Sequence, residues 1–213
     1  MPETSVDLFI DPFCPWAWNA SRWLLEVAPR RGLEVRWRSF NILIRDGGIT
    51  LSPQLPAERR ELVVAARRVV GHILQVFEAV RAGHGEQAVG RLYGEFGTLL
   101  RSPGRPPGLR PTVLSEALAA AGLDPELASA GDDPAWEAAV KASTEEAMAL
   151  VGPNAEIPVL VLAGSRPVGM SGPMLSWVPA GDAAVRLWDA IRTLVEEPAF
   201  GEARRVRQAL LAG

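Results

Sequence analysis

The distribution of strand character constrains this chain more than any other feature. Residues 6–10 form a short apolar run stopped by Asp11 and Pro12. Residues 33–40 set Leu33, Val35, Trp37 and Ser39 on one side against Glu34, Arg36 and Arg38 on the other, which is strand alternation with a solvated face. Between them, Trp16, Ala20, Trp23, Leu24 and Val27 recur at helical spacing over residues 16–28, with Pro29 marking the exit. A strand, a helix and a strand in that order need a crossover and predict a parallel pair. No further strand signal follows until residues 157–162.

The long interval between reads as helix and loop. Residues 41–56 are loop-like, and residues 57–100 turn to Arg, Glu, Ala and Val at helical spacing, broken at residues 83–85. Pro103, Pro106, Pro107 and Pro111 make residues 101–111 a loop. Helices are predicted at residues 112–121 and about 134–151, separated by a loop holding Asp124, Asp132 and Asp133. After the strand at 157–162 a second is expected at 166–170, joined by a tight turn at Gly164 and Ser165. An amphipathic helix follows at 182–196, with Ala184, Leu187, Trp188, Ile191 and Leu194 on its apolar face. The last helix, about 201–211, carries Arg204, Arg205 and Arg207. The expected organisation is a helical subdomain, residues 56–151, inserted into an α/β domain made of residues 1–55 and 152–213.

Composition narrows the function classes. Among 213 residues, 22 basic against 25 acidic side chains leave a net charge of -3, so no overall positive field favours nucleic acid or an anionic membrane. No apolar run approaches the roughly 20 residues that span a bilayer. The first residues are acidic and polar, without the basic and apolar segments of a secretion signal, so a cytoplasmic location is expected. His72 and His84 are the only histidines, and neither forms a metal-ligand spacing with Cys14, so no metal is expected.

Cys14 is the single cysteine, so no internal disulfide can form and any redox work there needs a partner thiol. It stands where a strand ends and a helix begins, against unsatisfied amide N–H groups and the positive end of the helix dipole, both of which favour thiolate. Pro15 suits the first turn, where its missing N–H costs nothing. The competing reading is a buried structural cysteine. Pro158, inside the third strand run, is the second unusual feature, because proline removes a sheet donor. It reads either as an ordinary trans proline at the first strand residue or as a cis Ile157-Pro158 bond, leaving the Ile157 N–H and C=O for an extended thiol substrate. Trp16 and Trp18 are candidates to wall a flat apolar pocket, against a core role for Trp18 and Trp23. Arg59, Arg60, Arg67 and Arg68, with Glu58 and Glu61 nearby, read as a solvated face or as an anion or thiol pocket, and His72 as solvated or on a lid.

Cys14-Pro15-Trp16-Ala17, following Phe9-Ile10-Asp11-Pro12-Phe13 and paired with the distant Ile157-Pro158, resembles the DsbA-like branch of the thioredoxin fold with its helical insertion. More closely, the chain resembles the actinobacterial mycothiol-dependent nitroreductase and disulfide-reductase group. The typical first site of that group is Asp-Pro-Leu-Cys-Pro-Trp-Cys-Trp. The likeness continues through Ser21-Arg22-Trp23 and Glu26-Val27, then Gly172-Pro173-Met174-Leu175, Pro179-Ala180-Gly181 and Leu187-Trp188-Asp189-Ala190.

The resemblance implies a thioredoxin-like α/β fold and a thiol-disulfide oxidoreductase. Cys14 takes the attacking role, Pro158 the cis-proline role, and Pro15, Trp16, Ala17 and Ile157 the surrounding thiol-binding positions. It implies mycothiol as co-substrate with no tightly bound cofactor. The expected partners are a low-molecular-weight thiol and a small-molecule or protein disulfide, with nitroaromatics as a further substrate class, and a homodimer is left open. Two departures stand out. Ala17 occupies the resolving position, which rules out an internal dithiol cycle and leaves a monothiol one. Ile157 replaces the usual threonine, deleting a hydroxyl while keeping the backbone groups. The alternatives are a thioredoxin-fold binding protein that has lost turnover, and a thiol-dependent transferase or isomerase of the kappa-class and chromene-carboxylate isomerase type, whose first position is usually serine.

Overall fold

The computed structural model describes residues 4–47, 56–102 and 112–202. The predicted last helix, most of the 101–111 loop and the second half of the 41–56 loop lie outside the described residues.

Strand β1, Thr4–Ile10, is buried at Val6, Leu8, Phe9 and Ile10, a run that only an interior strand can bury on both faces. It lies second in a four-stranded sheet of order β2-β1-β3-β4, with β2 at Leu33–Ser39, β3 at Val159–Leu162 and β4 at Val168–Ser171. The β1 and β3 strands are antiparallel, Val6 opposite Leu162 and Phe9 opposite Val159, and β3 pairs β4 antiparallel from Val159–Ser171 to Leu162–Val168. Asp7 interrupts the apolar run yet is buried, because Arg36 on β2 donates to its two oxygens at 2.6 and 3.0 Å. Of the face of β2 expected to be solvated, Arg36 and Arg38 are therefore half-buried, while Glu34 is exposed. Arg36 is spent on Asp7, and the Arg38 guanidinium lies 5.7 Å from the Phe9 ring centre.

Helix α1, Pro15–Arg31, packs on β1 and on α7, Gly181–Glu196. Trp23 and Trp188 are fully buried between the two helices, ring centres 6.1 Å apart, and Trp23 Nε1 donates to the Ala184 carbonyl at 3.0 Å. Pro29 does not end α1 as the sequence suggested. It sits in the last turn, and the helix stops at Gly32, whose φ of 61° is left-handed and whose N–H bonds the Ala28 carbonyl. Pro29 forfeits one bond to the residue four back, Leu25, which is exposed. Leu194, assigned to the apolar face of α7, is also exposed.

The connection between β3 and β4 is wider than a two-residue turn. With Leu162 opposite Val168 it runs over residues 163–167, since Pro167 has no N–H for the ladder. Gly169 on β4 lies so close to β3 that a Cβ there would meet Val161 Cγ2 at 2.9 Å.

The chain divides into two compact units, one of Met1–Ile10, Cys14–Arg38 and Ala147–Gly213, the other of Asp11–Phe13 and Ser39–Glu146. The second is helical: α2 (Ile42–Arg45), α3 (Ala57–His84), α4 (Glu86–Leu100), α5 (Thr112–Ala120), a 3-10 run at Pro125–Asp132, and α6 (Pro134–Val151), which continues into the first unit. Two elements escaped the sequence reading. Asn41 caps α2 by accepting from the Leu43 N–H at 2.9 Å, and Asp124 starts the 3-10 run by accepting from the Glu126 N–H at 2.9 Å. The expected break in the long helical stretch falls at Gly85, φ 80°, between α3 and α4. Phe77 of α3 meets Tyr93 of α4 edge-on at 6.3 Å within the core of this unit.

Candidate active site

At the end of β1 the Asp11 carboxylate accepts from the Phe13 N–H at 2.8 Å, closing an Asx-type turn that brings the chain to Cys14. Cys14 is the N-cap of α1, with φ -68° and ψ 115°, and its carbonyl accepts the first helical bond from the Trp18 N–H at 3.0 Å. Pro15 is the first helical residue, as its missing N–H favours. Cys14 is half-buried.

The second component comes from the residues just before β3. The Ile157-Pro158 peptide is cis, and both residues are buried. The Cys14 thiol donates to the Ile157 carbonyl with S···O 3.7 Å. Pro158 lies just outside β3, and its carbonyl accepts from the Gly172 N–H at 2.6 Å. No described residue accepts a hydrogen bond from the Ile157 N–H. The Ile157 carbonyl thus stands beside the sulfur, and with the Ile157 N–H it makes the donor and acceptor pair that an extended substrate segment needs.

The flanking residues separate into different roles. Ala17 is fully buried one turn into α1. Trp16 and Trp18 are half-buried, whereas Trp23 is core, so the two tryptophans read together as core residues part company. Arg22 lies over the Trp18 ring at 4.3 Å, and that face is occupied by a cation. Asn19 donates to the Leu175 carbonyl at 2.8 Å, tying the segment after β4 to α1.

The other candidates fall in the helical unit. His84 is exposed at the end of α3. His72 is not simply solvated, because its Nδ1 lies 3.3 Å from the Asp132 carboxylate and Gly131 packs against its ring. Arg60 and Arg68 are exposed, but Arg67 is half-buried, with Nη1 shielded from solvent. The Arg59 side chain lies outside the described residues. The sequence signal for Arg67 was its one-turn offset toward the apolar residues of α3, a signal the run of neighbouring charges obscured.

Residues 13–205 match the family model described as Rv2466c-like, mycothiol-dependent nitroreductase Rv2466c. The chain belongs to this family. It is accordingly a thiol-dependent oxidoreductase of the Rv2466c-like family, with mycothiol as the associated thiol. Among curated proteins it is 28% identical over 202 residues to uncharacterized protein Rv2286c of Mycobacterium tuberculosis (strain ATCC 25618 / H37Rv), covering 95% of this chain and 82% of that one. Two solved structures share the fold. A putative protein disulfide isomerase from Nitrosomonas europaea superposes with TM-score 0.59 at 13% identity, over 90% of this chain and 98% of that one. The cytosolic disulfide reductase DsbM from Pseudomonas aeruginosa gives TM-score 0.57 at 19% identity, over 89% and 99%. The thioredoxin-like α/β fold with its large helical insertion is thus common to this Rv2466c-like chain and both structures. Among the described residues, no helix is long and apolar enough to cross a membrane.

Proposed function

We propose that this Rv2466c-like protein works as a monothiol reductase, with Cys14 as its nucleophile and mycothiol mixed disulfides as substrates. The observation that carries the reading is the pairing of the Cys14 sulfur, at the start of α1, with the backbone of Ile157 at 3.7 Å. Two opposed influences on the thiol can be named. The first-turn N–H groups of α1 and the positive end of its dipole favour thiolate. The Ile157 carbonyl accepts from the S–H and favours the thiol, weakly at that distance. A substrate that takes over the Ile157 backbone groups removes the second influence and leaves the first.

The cycle balances with one protein thiol. Cys14 thiolate attacks the sulfur of mycothiol in the mixed disulfide, the substrate leaves as thiolate, and Cys14 is joined to mycothiol. A second mycothiol thiolate then attacks that bond, releasing mycothiol disulfide and regenerating Cys14. Cys14 and one mycothiol together supply two electrons, enough to take a nitro group to nitroso with loss of water, and the family description supports nitroaromatics as a second substrate class. Pro15 sets the first turn, Trp16 offers a flat apolar contact, Ala17 contributes its amide without a resolving thiol, and Pro158 holds Ile157 against the sulfur. Residues 1–55 with 152–213 form the domain that carries this chemistry, and 56–151 the inserted subdomain. A single cysteine kept as thiol fits the reducing cytoplasm.

The test is turnover of a mycothiol mixed disulfide by the native protein and by Cys14→Ser. The reading requires that the variant lose all exchange above the uncatalysed rate. A serine variant that keeps turnover assigns the chain instead to the transferase or isomerase type, in which a bound thiol is activated.

A further inference from the structure

The helical unit contains a cavity of about 870 Å³, within the size range of pockets that take drug-sized ligands. Its apolar wall includes Ile44, Phe96 and Leu114, and its polar contributors include Arg67, His72 and Lys141. The charges are unevenly committed. Arg67, Arg68 and Lys141 line it against only Asp132 and Glu137. The Asp132 carboxylate already faces the His72 ring at 3.3 Å, and Lys141 lies 3.8 Å from Glu145, outside the cavity lining. Arg67 has no hydrogen-bond or ion-pair partner among the described residues, and its Nη1 is cut off from water. A shielded guanidinium N–H without an acceptor is a costly arrangement that an anionic oxygen would relieve.

We propose that this cavity binds a small organic anion with a flat apolar body, an aromatic carboxylate or sulfonate. Arg67 holds the anionic group and Phe96, Ile44 and Leu114 cover the ring system. Charge complementarity selects this occupant over a neutral apolar one, because an acid gives the Arg67 donor a charge-assisted hydrogen bond while filling the apolar volume. The binding event needs no thiol chemistry and stands or falls separately from the Cys14 cycle.

The test uses the full chain and two fluorescent probes of similar shape, 8-anilinonaphthalene-1-sulfonate, which is anionic, and N-phenyl-1-naphthylamine, which is neutral. One sulfonate probe should bind per native chain. Arg67→Gln should weaken it at least about tenfold, the loss expected for a charge-assisted hydrogen bond, while the neutral probe changes less than about twofold. Arg67→Lys should recover part of the sulfonate affinity, and Leu114→Trp, which fills the cavity, should weaken both probes. Competition in the native protein avoids any folding defect of a variant: 1-naphthalenesulfonate should displace the anionic probe at a concentration at least about tenfold lower than the neutral 1-naphthalenemethanol requires. The proposal is overturned if the native protein does not bind the sulfonate probe, if Arg67→Gln leaves its affinity unchanged, or if neutral and anionic naphthalenes compete equally.

Discussion

Trp23 and Trp188 allow a paired test of how α1 is held. Both are fully buried, and their rings meet at 6.1 Å. Their indole N–H groups differ: Trp23 Nε1 donates to the Ala184 carbonyl at 3.0 Å, whereas Trp188 Nε1 is buried without a partner among the described residues. Replacing either by phenylalanine removes the same atoms, so a packing loss of about 1–2 kcal/mol is common to both. Trp23→Phe also breaks a hydrogen bond worth about 0.5–1.5 kcal/mol, for a total of about 1.5–3.5 kcal/mol. Trp188→Phe instead removes an unsatisfied donor whose burial costs about 1–3 kcal/mol, which offsets the packing loss and leaves the variant between about 1 kcal/mol less and about 2 kcal/mol more stable than the parent. Urea unfolding followed by far-ultraviolet circular dichroism separates the two, provided the denaturant slopes agree. The reasoning fails if Trp188→Phe costs as much as Trp23→Phe at equal slopes.

Three further outcomes follow from the geometry. Ala17→Cys puts a second thiol three residues from Cys14, within the roughly 4.4–6.8 Å Cα separation that a disulfide spans. A mixed disulfide on Cys14 should then discharge without added thiol, leaving protein lighter by two hydrogens, and a persistent adduct would contradict the shared face of the two residues. Gly131→Ala should lower stability by about 1–3 kcal/mol in urea, because its Cβ would meet the His72 ring at 2.4 Å, and an unchanged midpoint would refute that contact. The Asp189 carboxyl is held below its usual range, first by the hydrogen bond from Arg31, so its contribution is present above about pH 4 and lost as pH falls through the lowered folded value. Asp189→Asn should therefore flatten the acid limb of the melting temperature below pH 4 by a small amount, since the pair is exposed, and identical acid limbs would count against the pairing.

The helical block and the strand-bearing ends were legible because the periodicities of 3.6 and 2 persist over several turns or strand residues. Cys14 at the start of α1 was legible for a local reason: a strand, a turn-forming Asp11-Pro12 and a proline at the first helical position leave little freedom. Pro29 misled because its cost depends on where in the helix it falls, and Gly32 was available three residues later to end the helix. The half-burial of Arg36 on the charged face of β2 was invisible, because its bond to Asp7 reaches a partner on another strand. The cavity beside Arg67 is a property of several helices at once, and no single window of sequence encodes it.

The central claim concerns the sulfur of Cys14, and intact mass during reaction with a model disulfide across pH tests it most directly. The account predicts one adduct on the native chain and none on Cys14→Ser. It also predicts that the rate holds up below the ordinary thiol value of about 8.5, because the start of α1 favours thiolate. A native chain that stays unmodified until denaturant is added contradicts the account, since a half-buried sulfur must be reachable if it is the nucleophile.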